Sequence, residues 1–362
     1  MANDGKAIEV LDRVHMIKPM EPLESKPDDA TSRFSNAWKT SLSYAIAVLC
    51  LIWVLHDVNT GQLIDSMATI NWWWVAGAIS FDILSYVCQG MRWSLLLRPI
   101  GRISTFRATQ AVYAGLFINE ILPMRLGEVL RIYLVSQWTA ARFAAVIPSI
   151  IVERYFDTIW LALAFGITVF VVPLPKYLVD VEEILGVTAL AATTLFIYLV
   201  FRRQGNKVAY SSSTYGRWRP IRGFLGLLDK MAGGIHDIGR SHFFYTSFGV
   251  SLFLLLGQIL SYWLVMLACG LKLSFWHGAA VFLIVHIGTA IPSAPSNLGT
   301  YQLFTVVGLT LFGISKTLAT SFSIVVFFIL TIPLWAIGLL VFARFKLSLK
   351  RIKTDLASLP GN

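Results

Sequence analysis

Apolar residues gather along this chain in ten blocks, near 40–56, 71–97, 108–122, 129–138, 143–172, 181–201, 243–269, 278–291, 301–313 and 317–343. Six of these reach or approach the ~20 residues that cross a hydrocarbon layer as helix. The other four come as two short pairs. Blocks 108–122 and 129–138 flank Pro123, and blocks 278–291 and 301–313 flank the run Ile291-Pro292-Ser293-Ala294-Pro295-Ser296-Asn297-Leu298-Gly299. Short apolar pairs interrupted by Pro and Gly predict broken or re-entrant helices, because backbone at membrane depth is tolerated only where protein or a polar cavity satisfies it.

Charges between the blocks give sidedness. The 57–69 loop has no Lys or Arg, and 173–183 has one Lys against three acids; both read as external. The 202–240 loop carries eight Lys/Arg against two Asp, and the 344–362 tail five against one, so both read as cytoplasmic. Arg92, Arg98, Arg102 and Arg107 place the end of the second span on the same inner side. The chain is then inside both before and after the 108–138 pair, and outside both before and after the 278–313 pair. The predicted order is span, span, inner re-entrant pair, span, followed by span, span, outer re-entrant pair, span. The fold class is thus all-α: a polytopic membrane protein with inverted repeats, about six full spans and two opposed re-entrant hairpins. Ten shorter or tilted crossings are the competing arrangement. The expected domains are an N-terminal cytoplasmic arm (1–39), a membrane domain (40–345) and a basic cytoplasmic tail (346–362). The halves of the membrane domain are about 40–172 and 180–345.

Composition sharpens this picture. The 362 residues are 56% hydrophobic and only 14% charged, against roughly 25% charged in soluble domains. A net charge of +10 lies mostly in loops and tails, which argues against nucleic acid as partner and for a membrane surface. The 202–240 loop reads as a patch for anionic lipid headgroups. Residues 1–39 hold six Lys/Arg and seven Asp/Glu with no apolar core, so no cleavable signal peptide is expected there. Cys50, Cys88 and Cys269 lie singly in apolar blocks, without metal or disulfide spacing. Trp72-Trp73-Trp74 beside the 57–69 loop fits an interfacial aromatic belt.

The candidate chemistry concentrates around Pro123. Glu120, Arg125, Glu128 and Arg131 are four charges between strongly apolar runs, at a cost of roughly +2.5 to +3.5 kcal/mol each at the centre of a spanning helix. Pro123 stops one half-helix and Leu126–Gly127 starts the next. That N-terminus favours an anion, and Arg125 can grip a phosphate with two parallel N–H groups. Asn119 can add an amide from the preceding half-helix. Glu128 and Arg131, three residues apart, can pair. This is either a phosphate-headgroup site or an ion network closing the hairpin. Glu153, Arg154 and Asp157 share the next span, either meeting the hairpin arginines or snorkelling to the surface. In the outer pair, Pro295 unwinds backbone, Ser296 or Asn297 can cap the following half-helix, and Tyr301 and Gln302 add polar groups. His286 reads as a core histidine. There is no P-loop, no CxxC and no Ser-His-Asp pattern, so no catalytic residue, metal or cofactor is assigned.

Asn119, Leu122, Pro123, Arg125, Gly127, Glu128 and Arg131, with Arg92-Trp93 upstream and Glu153-Arg154-x-x-Asp157 downstream, resemble the lysylphosphatidylglycerol-synthase transmembrane-region family, also called flippase-like membrane proteins. The resemblance covers about 40–345. The outer run departs from the family's P-x-S-P-G-G-x-G-x-x-E form: Ala294-Pro295-Ser296-Asn297 replaces S-P-G-G, and Gln302 stands where an acid is common. Bifunctional members carry a soluble aminoacyltransferase domain that these 362 residues lack, so the resemblance implies the translocating part without synthase chemistry.

The expected function is a lipid flippase or transporter for a phosphate-bearing lipid (phospholipid, aminoacylated phospholipid, glycolipid or polyprenyl-phosphate). A proton could couple through Glu128, Glu153 or Asp157. Two other readings stand beside it: a membrane-embedded lipid-phosphate transferase or hydrolase, and a non-catalytic partner of a lipid-modifying enzyme. Expected partners are membrane lipids and a separate lipid-synthesising enzyme. The expected location is a bacterial cytoplasmic (inner) membrane with both termini cytoplasmic.

Overall fold

A computed structural model describes residues 45–56, 70–121, 126–139, 141–201, 231–290 and 295–345. The N-terminal arm, the 57–69 loop, Leu122–Arg125, residues 202–230, the run 291–294 and the tail from 346 lie outside the described residues, together with the expectations attached to them. Among the described residues all regular structure is helical: eleven α-helices and one 3-10 turn. They are α1 (Ala45–Leu55), α2 (Trp72–Leu96), α3 (Thr105–Ile121), α4 (Gly127–Thr139), α5 (Phe143–Val171), α6 (Lys176–Phe201), α7 (231–240), α8 (His242–Ala268), α9 (Phe275–Gly288), the turn Pro295–Asn297, α10 (Thr300–Thr310) and α11 (Lys316–Arg344). The apolar blocks and the helices coincide closely. One difference is α7, which makes a helix of the last ten residues of the expected 202–240 loop.

Four helices, α5, α6, α8 and α11, are long and apolar enough to cross a membrane. The 25-residue α2 matches them in length but carries Asp82 and Arg92 in its interior. Helix starts follow capping chemistry. The side chains of Asn71, Ser241, Ser274 and Ser315 accept backbone N–H groups at the beginnings of α2, α8, α9 and α11.

The central pair is α2 against α8, antiparallel and in contact along its length. The Asn71 N–H donates to the Ala268 carbonyl at one end (3.0 Å). In the middle Ser261 Oγ donates to Ala78 O (2.8 Å), and near the other end Ser247 Oγ donates to Arg92 O (3.4 Å). The contact is close because small residues sit at the crossing: a Cβ on Gly257 would lie 2.4 Å from Ser85 Oγ.

The two short pairs pack at opposite ends of this centre. The α3–α4 pair joins Trp93 and Leu97 of α2, the start of α5 and the end of α11 in one apolar cluster. The α9–α10 pair joins Val54, Ala78, the end of α8 and the start of α11 in another. The pairs meet each other in between, where Ser296 Oγ donates to the Glu120 carbonyl (3.0 Å). Outermost is α6, with Val200 as its single buried residue; it leans on α5 through stacked Tyr155 and Phe196 (4.5 Å). The side chains of Trp72, Trp73 and Trp74 are exposed, as an interfacial belt requires.

Candidate functional site

The polar centre is assembled by three helices with different burdens. α2 brings Arg92, α4 brings Glu128 and Arg131, and α5 brings Glu153, Arg154 and Asp157. The approach of α4 to α3 is set by two glycines. A Cβ on Gly127 would sit 1.8 Å from the Gly115 carbonyl oxygen, and one on Gly115 would meet Arg131 Cγ at 2.5 Å. Asn119 Oδ1 accepts the Gly127 N–H (2.7 Å), so Asn119 caps α4 and ties the two half-helices together. With the gap closed, the Arg131 stem lies on Gly115 and its guanidinium lies over the Trp93 ring, 4.2 Å from the centroid. The Trp93 Nε1 hydrogen is fixed in turn by Ser149 Oγ (3.0 Å).

The charges form a graded lattice. At its base Glu153 is 2% exposed and bridges two arginines: Oε1 accepts from Arg92 Nη2 (3.1 Å) and Oε2 from Arg131 Nη2 (2.9 Å). Arg92 also donates to Asp157 Oδ1 and to Ser251 Oγ on α8 (3.2 Å). Higher up, Arg154 bridges Glu128 and Asp157. Exposure rises along the lattice, from 1% at Arg92 to 30% at Asp157 and 50% at Arg154. Buried ions are tolerated only when paired and hydrogen-bonded, and the three arginines here meet three carboxylates. Buried donors remain, however, since neither Arg92 Nε nor Arg131 Nε has an acceptor among the described residues.

Several sequence expectations can be placed. Glu128 and Arg131 do not pair with each other; each bonds a partner on α5, because α5 offers an acid and a base at the consecutive positions Glu153 and Arg154. Arg125 and Pro123 lie outside the described residues. In the outer pair, Pro295 opens the 3-10 turn. Ser296 is turned to Glu120 rather than to α10, and Ser296 and Asn297 both hold positive φ (59° and 50°), a backbone region costly for non-glycine residues. Gln302 caps α10: its Oε1 accepts the Gly299 N–H (2.7 Å). Tyr301 packs edge-on against Phe327 (5.6 Å). His286 is not a core residue. It is exposed at the end of α9 and within electrostatic reach of Asp157, because α9 packs on α5.

Arg92 is the central residue that sequence reasoning assigned elsewhere, as a marker of the inner side. The available signal was its coupling to Trp93 in the motif.

A family model described as "Lysylphosphatidylglycerol synthase TM region" matches residues 41–338. A UPF0104 membrane protein of Methanothermobacter thermautotrophicus is 22% identical over 297 residues, covering 78% of this chain and 86% of its own length. A UPF0104 membrane protein of Methanocaldococcus jannaschii is 24% identical over 324 residues, covering 84% and 96%. No solved structure matches the chain.

Proposed function

Because this chain belongs to the lysylphosphatidylglycerol synthase TM region family of integral membrane proteins, we propose that it translocates a phosphate-bearing lipid across the bilayer without changing it covalently. The lipid is a phospholipid, an aminoacylated phospholipid, a glycolipid or a polyprenyl-phosphate, delivered by a separate synthesising enzyme. We place the chain in a cytoplasmic membrane with both termini inside, on the strength of the loop charges.

In this reading the chain is an inverted repeat, α1–α5 against α6–α11, with α3–α4 and α9–α10 as opposed re-entrant hairpins. The packing supports it. Exchanging α2 with α8, α3 with α9, α4 with α10 and α5 with α11 maps observed contacts onto observed contacts: α3 with α11 becomes α9 with α5, and α2 with α11 becomes α8 with α5. Two hairpins anchored at opposite ends, with tips touching at Glu120 and Ser296, form a barrier that either side can open.

One observation carries the assignment: the half-exposed Arg154, held by Glu128 and Asp157 above a buried lattice. An arriving phosphate displaces Glu128 from Arg154 and keeps the charge-assisted hydrogen bonds, while Arg92 and Arg131 stay locked beneath it. Arg125, by its place in the motif, is the second arginine of the headgroup site.

The test is a headgroup-accessibility assay in reconstituted vesicles carrying headgroup-labelled phospholipid. Losing one charge-assisted contact removes about 1.5–3 kcal/mol, so Arg154→Ala should slow movement by about ten- to a hundredfold. Wild-type rates in both Arg154→Ala and Arg125→Ala would remove the site.

A further inference from the structure

Asp82 lies inside α2, ten residues before Arg92, or about 15 Å along the helix axis. Its side chain is buried, at 5% exposure, and among the described residues it makes neither an ion pair nor a hydrogen bond. The groups that face it are hydroxyls: Tyr86 from α2, Tyr113 from α3 and Tyr301 from α10. The Tyr113 hydroxyl is itself buried and lacks a partner among the described residues, and its ring meets Tyr86 edge-on at 5.4 Å. α3 adds a second carboxyl, Glu120, which also faces Tyr86. α8, packed along α2, offers Tyr262, whose hydroxyl is committed to Thr305 (3.2 Å). α11 has no titratable side chain between Lys316 and Arg344. α5 contributes Glu153, Arg154 and Asp157, all engaged in the lattice with Arg92 and Arg131 at the other end of the contact.

A carboxylate at this depth has to be neutralised by a cation or by a proton. Among the described residues no cation reaches Asp82. By contrast Glu128, Glu153 and Asp157 each hold an arginine, so they are poor carriers of an exchangeable proton. We propose that Asp82 is a proton-binding site at the core of the protein, and that its loading and release are coupled to the opening of the hairpin contact between Glu120 and Ser296. Binding of H+ converts the carboxylate to the neutral acid and supplies an O–H for the hydroxyl cluster. Release restores an unpaired negative charge among the hydroxyls, next to Tyr86, which Glu120 also faces, and a desolvated charge without a cation destabilises the closed packing of α2 on α3. The Trp335 indole and the Ser296 hydroxyl lie against the Glu120 carboxyl, so a shift of Glu120 is felt at once by the outer hairpin and by α11.

The proton site deepens the lipid-translocation reading, and its test has one arm that does not need lipid movement. Infrared difference spectra of the reconstituted full-length protein, taken between about pH 5 and pH 9, the range in which strongly buried carboxyls titrate, should contain an acid carbonyl band. Asp82→Asn should abolish that band, and Asp82→Glu should move it. A spectrum without the band, or one that Asp82→Asn leaves intact, overturns the proposal. In the second arm, an imposed pH gradient should accelerate movement of headgroup-labelled lipid in wild-type vesicles and have no effect in Asp82→Asn vesicles. An equal response in the variant, or a response to a sodium gradient at fixed pH instead, also overturns it. If wild-type protein moves no lipid at all, the transport reading falls while the infrared band still decides the proton site. Should Asp82→Asn fail to fold, the displaced band of Asp82→Glu decides.

Discussion

Arg92 shows how much a single side chain carries at this site. It is buried between Glu153, Asp157 and Ser251, so Arg92→Met leaves two acids without their shared cation. Breaking a buried ion pair from one side costs about 3–5 kcal/mol, and thermal unfolding in detergent should show that loss. Glu128→Gln should act in the opposite direction on binding: it frees Arg154 from a competing carboxylate, so anionic lipid should bind more tightly, by about three- to tenfold in native mass spectrometry. Neither role was fully legible in the sequence. Arg92 precedes Arg98, Arg102 and Arg107, and a run of arginines after a span is ordinarily a sidedness signal. That the first of them turns inward depends on Ser247 and Ser251 of α8, more than 150 positions away. The pairing of Glu128 and Arg131 was misread for a similar reason: helical spacing shows which residues can pair, whereas the partner helix decides which do.

At the level of elements, the two short helix pairs, α3–α4 and α9–α10, were the most legible part of the fold, because block lengths show where a helix has to stop. What closes them was not legible. Asn119 lies eight residues before the N–H it accepts, and the fit of Gly115 against Gly127 leaves no room for a Cβ, which on Gly127 would sit 1.8 Å from the Gly115 carbonyl oxygen. Gly127→Ala should force the pair apart; overpacking of this kind costs about 1–3 kcal/mol, and a lower melting temperature with the helix content unchanged would register it. The α9–α10 pair resolves its family departure in structural terms, since Gln302 serves as a cap and needs no charge to do so. The contact between the hairpins can be trapped. In a background with Cys50, Cys88 and Cys269 replaced, Glu120→Cys with Ser296→Cys should cross-link on oxidation. Lipid movement should stop when the bond forms and resume on reduction. Cross-linked protein that transports at full rate would mean that the tips do not separate during the cycle.

For the molecule as a whole, loop charge gave an orientation that packing alone does not contain. Asp237 on α7 and Lys176 at the start of α6 are both exposed, and the orientation puts them on opposite sides. A membrane-impermeant maleimide applied to intact spheroplasts should label Lys176→Cys and spare Asp237→Cys, and inverted vesicles should reverse the pattern. The balance of charge in the lattice has an electrical consequence. Three arginines and three carboxylates sum to zero, so rearranging them as a unit carries no current of their own across the bilayer. Voltage then acts on the cargo, at about 2.3 kcal/mol per elementary charge for each 100 mV. If the protein moves lipid as proposed, the membrane potential should act on an anionic headgroup and on any proton carried at Asp82, and a zwitterionic headgroup should add no charge of its own.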